Sequence, residues 1–327
     1  FFFSLFNCEG LILDLSPCTK LKTLNVSKNN LTGKLSEKVK HFTELEEVYL
    51  DQNHIIELHH ACRYWTKLKV FSASYNEFQH LSQGVVDNWI ELSTCNLRHN
   101  RLEVLPDTIH QWKELKKFSL GHNKLKKIPD RIGDLTSLMQ LDVKNNLLLS
   151  VPDTLEKCTE LSYLNVASNK LKQLPNVSHW RKMKDLQLCR NQLTEIPAEI
   201  KMLTQLKRIS VGNNKLKTLP VELGELEKLE ELYINFNSLL VSLPDSIGNL
   251  SSLKELSIRG CIKLKILPLS LGKCRNLMEL DLRTLAKKES CKLQVELLED
   301  LDKINCKIRG GVQKKPKKRG KKKKPKN

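Results

Sequence analysis

Apolar residues recur along the chain in one 23-residue rhythm, L-x-x-L-x-L-x-x-N-x-L, continued in mid-chain by x-x-L-P-x-x-I-x-x-L. Its asparagine falls at Asn29, Asn53, Asn76, Asn100, Asn123, Asn146, Asn169, Asn191, Asn214 and Asn237, at intervals of 22 to 24 residues. Cys261 fills the next position and Leu285 the one after. A period of this length is that of a solenoid, in which each unit covers the apolar edge of the one before. In the unit from Leu206 to Pro220, Leu206, Ile209 and Val211 point inward while Lys207, Arg208, Ser210, Gly212 and Asn213 point out. The L-x-L centre has the two-residue alternation of a strand. Leu-Pro then ends the strand, because proline has no N–H for the ladder. The expectation is a curved α/β solenoid of about twelve repeats over residues 1–285, its first repeat incomplete, with a parallel sheet on the concave face.

Two further columns test this reading. Six residues before each first leucine stand apolar residues such as Val39, Cys62, Ile109 and Ile247, and three before it stand Phe42, Trp65, Trp89, Trp112, Trp180 and Leu203. All four tryptophans share one column, which assigns them to the outer wall of the core rather than to an aromatic cage. The asparagine column is assigned to the turn after the strand. There an amide can satisfy buried backbone donors and acceptors together. Cys261 cannot do this fully, and its loop is one residue longer.

After Leu282 the pattern decays. Leu293, Leu297, Leu301 and Ile304 form one apolar stripe, so a C-terminal capping helix is expected within residues 286–309. Residues 310–327, after Gly310-Gly311, are expected to remain unfolded for want of apolar surface. Asn7 lies near an asparagine position, so the chain is expected to begin inside a repeat.

Charge divides the chain unequally. Of its net +18, ten cations lie in the tail at Lys314, Lys315, Lys317, Lys318, Arg319, Lys321, Lys322, Lys323, Lys324 and Lys326. The body keeps 45 basic residues against 37 acidic. Such a tail can hold phosphates without stacking on bases, which fits RNA, a nuclear import receptor or an anionic membrane surface. Cys18, Cys158 and Cys274 share one core column, Cys62 and Cys95 fill others, Cys261 stands in the asparagine column and Cys189 on the concave surface, and neither end carries a tight cysteine cluster. This suits reduced thiols in an intracellular, cytoplasmic protein, with nuclear import as the alternative. No metal-ligand spacing, phosphate loop or nucleophile motif is present, so neither catalysis, a cofactor, a metal nor a small-molecule substrate is expected.

The full unit, as in Ile128-Pro-Asp-Arg-Ile-Gly-Asp-Leu135 and Leu243-Pro-Asp-Ser-Ile-Gly-Asn-Leu250, resembles the leucine-rich repeats of intracellular Ras-group and scribble-like proteins. The resemblance implies a curved solenoid that serves as an assembly platform in signalling. Repeats before residue 92 depart from it, with Lys34-Leu-Ser and His80-Leu-Ser in place of Leu-Pro. Leu256 to Cys261 is closer to the repeats of plant-type immune receptors.

Partner binding is expected on the outward strand positions and the turn just after them. Arg98, His99, His122, Lys144 and Arg190 make a central basic strip there. Tyr49 with Tyr75, and Tyr233 with Phe236, put aromatic anchors toward the two ends, and Arg259 is another outward residue of the same face. A second line of lysines, Lys124, Lys126, Lys170, Lys172, Lys215 and Lys217, follows the loops and reads as a solvated rim. Three functions stay open: a protein-binding scaffold, an RNA- or ribosome-associated protein acting through its tail, and a fragment of an immune-type receptor.

Overall fold

A computed structural model of the chain describes residues 2–4, 19–283 and 295–310. One parallel sheet of 14 strands, each three residues long, runs through it in sequence order. Neighbouring strands pair without offset: Val48 faces Phe71, Phe71 faces Cys95, and Leu186 faces Ile209. From Thr23–Asn25 to Glu279–Asp281 the middle residue of each strand of this sheet is buried, and the flanking two face the concave side; Ile308 of the last strand is half-buried. Strands at Phe2–Ser4 and Lys307–Arg309 extend the sheet at both ends, the second lying past residue 285 where the repeat pattern had faded.

Most return segments are five-residue 3₁₀ turns rather than α-helices, such as Asp130–Asp134, Val221–Glu225 and Asp245–Asn249. From residue 106 on, the proline after the loop's last apolar residue opens the turn, its extended backbone followed directly by it, whereas Ser36 and His59 open the two earlier ones. A 23-residue unit leaves too few residues for more than one turn between strands. Stacking is close on this convex side, since a side chain on Gly133 would run into the backbone of Thr154. The early repeats without Leu-Pro differ: Thr32–Lys34 and His54–Glu57 form a separate two-stranded sheet, and Gln83–Val86 makes one helical turn.

The core is a single apolar stack. Trp65, Trp89, Trp112 and Trp180 are buried in the outer wall, and their indole N–H groups also donate to carbonyls of the preceding repeat, Trp112 to Val86 at 3.0 Å. Cys158 and Cys274 fill the same column and place their thiols against the equivalent carbonyls of Ile132 and Ile247. Burial pushes these thiols up, to about 12 for Cys158 and about 11 for Cys274. At the C-terminal end a helix at Val295–Lys303 lays Leu297 and Leu301 into the core, with Leu298 and Ile304 half-buried beside them. Leu293 and all ten tail cations lie outside the described residues.

The asparagine column is a hydrogen-bonded ladder. Asn146 donates its amide to Val143 O (3.0 Å) and, across the rung, to Leu120 O (3.1 Å), and it accepts from Leu125 N–H (2.9 Å). Asn53 through Asn237 repeat this scheme. Cys261 donates from Sγ to Ile234 O. In the loop after Asn237, which is also one residue longer than its counterparts, Leu240 N–H turns back to Asn237 O (3.1 Å).

Candidate functional site

The residue before each column asparagine stands in the left-handed region although it is not glycine: Lys28, Gln52, Tyr75, His99, His122, Asn145, Ser168, Arg190, Asn213 and Phe236 have φ between 51° and 60°. An L-residue there is disfavoured by about 1–2 kcal/mol. The conformation is held by the rungs themselves, each such N–H donating to a carbonyl of the next repeat, as Tyr75 does to Arg98 O (2.9 Å) and His122 to Lys144 O (2.8 Å). These side chains therefore form one column along the concave rim. Tyr75 and His99 stack with centroids 4.1 Å apart, His99 and His122 at 3.9 Å, and the His122 ring meets the Asn145 amide at 3.0 Å.

Beside this stack lie Arg98 and Lys144, with Gly121 on the rung between them. Gly121 brings no side chain of its own to that rung, and Lys144 Cγ and the Asp142 carboxylate pack against it, 3.1 Å and 3.3 Å from where a Cβ would stand. Asp142 is buried and 3.9 Å from Arg98, while Arg98 Nε is itself buried without a hydrogen bond. The Asp142 carboxylate also accepts from Lys144 N–H (3.1 Å). The strip is thus less basic than its sequence suggests. Burial first, and then neighbouring cations, lower the titration of both His99 and His122, so they are mostly neutral near pH 7. Its positive charge comes from Arg98 and Lys144.

The expected site residues do not all meet. Tyr75 joins the histidines rather than standing with Tyr49, and Arg190 lies three rungs beyond His122, past Asn145 and Ser168. Tyr49 and Tyr233 turn their hydroxyls to carboxylates, Tyr49 to Glu47 (3.2 Å) and Tyr233 to both Glu231 and Glu255 (2.8 Å each). Burial and those two carboxylates raise the Tyr233 phenol well above its ordinary value. Phe236 instead takes the guanidinium of Arg259 over its ring, 5.4 Å from the centroid.

Several outward positions are structural rather than free. Asn96, Asp142, Asn165 and Asp281 each accept the N–H two residues on, closing the turn after the strand. Ser72 and Ser74 both donate to Asp51. An Asn or Asp that accepts the N–H two residues on is a turn signal legible in sequence, so these positions are turn closures and not open surface. Among the described residues no group of three or more His, Cys, Asp or Glu is placed to hold a metal ion. No helix among them is long and apolar enough to cross a membrane.

Comparison with known proteins agrees with this geometry. A family model described as a leucine-rich repeat region matches residues 165–315, a leucine rich repeat model matches 90–148 and 113–171, and a further one matches 20–42. The chain is a leucine-rich repeat protein. No curated protein matches it in sequence. Among solved structures, this leucine-rich repeat protein is similar to the protein LIC12759 of Leptospira interrogans, at 27% identity over 90% of this chain and 80% of that one, with a TM-score of 0.75. It shares its fold with the internalin InlF of Listeria monocytogenes, at 19% identity over 91% and 83%, TM-score 0.77. It also shares its fold with the Arabidopsis receptor kinase HAESA, at 24% identity over 83% and 52%, TM-score 0.62. That structure is a complex with the peptide hormone IDA and the co-receptor SERK1. Leucine-rich repeats generally mediate protein–protein interaction.

Proposed function

We propose that this chain is a non-enzymatic scaffold that holds a protein partner in its concave face, in intracellular signalling and of the Ras-group or scribble-like kind. The observation that carries the reading is the aromatic stack beside Arg98 and Lys144. A rigid stack of Tyr75, His99 and His122 runs beside two cations that are only partly neutralised by Asp142. Planar side chains held in one orientation lose little entropy on contact, and the exposed part of a half-buried guanidinium gains a charge-assisted hydrogen bond when an acidic side chain arrives. Strands about 4.8 Å apart give fourteen of them an arc on the order of 60 Å, ample for a standard interface. Phe236 and Arg259 offer a second anchor toward the C-terminal end. In this reading the tail, Lys314 to Lys326, adds anion affinity that steers location, in the cytoplasm or through import to the nucleus.

Affinity purification with Arg98→Glu and Lys144→Glu together tests the proposal. Proteins recovered with the unchanged chain should be lost, while the variant melts within a few degrees of it. Recovery of the same proteins by the variant would overturn the concave reading. RNA that is recovered only while the tail keeps its cations, and is unaffected by the concave change, would favour the RNA-associated alternative.

A further inference from the structure

The loops that leave the asparagine column build a flank of their own. Backbone bonds tie them rung to rung: Lys124 N–H to Leu102 O (2.8 Å), Leu147 N–H to Leu125 O (2.9 Å), Lys170 N–H to Leu148 O (2.9 Å) and Lys215 N–H to Leu193 O (2.8 Å). This ladder fixes the register, so Lys124, Leu147 and Lys170 stand side by side, as do Lys126, Leu149 and Lys172 two residues on. The residues between, Leu125, Leu148 and Leu171, are buried, which turns both rows outward.

A solvated rim does not account for what these rows present. Leu147 is 37% exposed and Leu149 65%, and each has lysines on the rungs to both sides. Lys124, Lys170, Lys172 and Lys217 pair with no acid among the described residues, while Lys126 reaches Glu103 at 3.2 Å. Protruding leucines set among unpaired lysines, on a face made flat by rung repetition, match the chemistry of an anionic membrane surface. A nucleic acid would be served by aromatic or guanidinium planes in place of the leucines. A protein site would carry Trp, Tyr or Arg anchors.

We propose that this flank docks on anionic lipid bilayers. Lys124, Lys126, Lys170 and Lys172 meet the headgroups, and Leu147 and Leu149 enter the interface. The concave face lies on a different side of each unit and stays open. The tail's ten cations supply a separate, purely electrostatic attraction, and stable attachment commonly needs two such signals.

Co-sedimentation of the full chain with vesicles tests this, using phosphatidylcholine alone or with about one part in three phosphatidylserine. Binding should require phosphatidylserine. The pair Leu147→Asn and Leu149→Asn should weaken it about tenfold. The triple change Lys124→Gln, Lys170→Gln and Lys172→Gln should weaken it on the order of a hundredfold. Changing the ten tail cations to Gln should lower binding yet leave the leucine dependence, and Arg98→Glu with Lys144→Glu should leave that dependence too. Wild-type binding by the leucine pair would overturn the proposal. So would loss of poly(U) binding by the lysine triple in the same proportion as vesicle binding, with the leucine pair unchanged. A fluorophore on Leu149→Cys gives a second readout that needs no loss of function: its emission should shift to the blue on phosphatidylserine vesicles, and an unshifted spectrum would equally overturn the proposal.

Discussion

The ring of Phe236 lies so close over Gly260 that a methyl group added there would stand 2.7 Å from Cε1 of the ring. Gly260 also has φ +72°, and it occupies the left-handed column in the repeat where Cys261 replaces asparagine. Space and backbone both require glycine. Gly260→Ala should destabilise the fold by about 1–3 kcal/mol and push Phe236 off Arg259. Gly84→Ala is the control, since nothing lies within 4 Å of it and its φ is ordinary. Urea midpoints for the two variants check this, and equal midpoints would contradict it.

The asparagine ladder is the main side-chain polar tie between rungs. Asn146→Leu leaves Leu125 N–H without its partner inside the stack, while Leu120 O and Val143 O each lose one donor but keep another, from Asn123 and Asn169. A buried orphan costs about 1–3 kcal/mol and each further lost bond about 0.5–1.5 kcal/mol, so a total loss of at least about 2 kcal/mol is expected. Lys144→Ala, two residues away and partly solvated, should change stability by no more than about 0.5 kcal/mol. Thermal melts of the pair decide between them.

His99 and His122 give the stack a pH dependence of known sign. Burial lowers both below the ordinary histidine value, and Arg98 and Lys144 push the same way, with Asp142 opposing at His122. The unfolded chain then binds more protons than the folded one below about pH 6.5, so stability contributed by the neutral rings is present above that pH and lost as it falls. The pair His99→Gln and His122→Gln should melt with a shallower decline between pH 7.5 and 5.5 than the unchanged chain. Parallel declines would remove the histidines from the account.

The solenoid was legible because its columns are filled by residue types with one physical use: leucine inward, asparagine in the turn, tryptophan in the outer wall. Each can be judged from its own repeat. The binding face was legible only as a surface. That His99 stacks between Tyr75 and His122 depends on left-handed backbone at three successive rungs, and no glycine marks it. Nor does spacing reveal that Asp142 sits beneath Arg98, or that Glu231 on the same strand and Glu255 on the next rung both take up the hydroxyl of Tyr233. Arg190 looked continuous with the strip because position in the repeat was legible, whereas the distance along the arc was overlooked. The final strand at Lys307–Arg309 escaped notice because its unit has lost the leucines on either side.

Two exposed tyrosines on opposite faces allow the most direct test. Tyr75 is 52% exposed on the concave rim, and Tyr64 is 43% exposed at the end of the 3₁₀ turn His60–Tyr64 on the convex side. Each is replaced in turn by a photoreactive phenylalanine analogue, and the chain is irradiated in extract of the cell that expresses it. The account expects a discrete cross-linked protein adduct from position 75 and none from position 64. An adduct from position 64 with none from position 75 would contradict it.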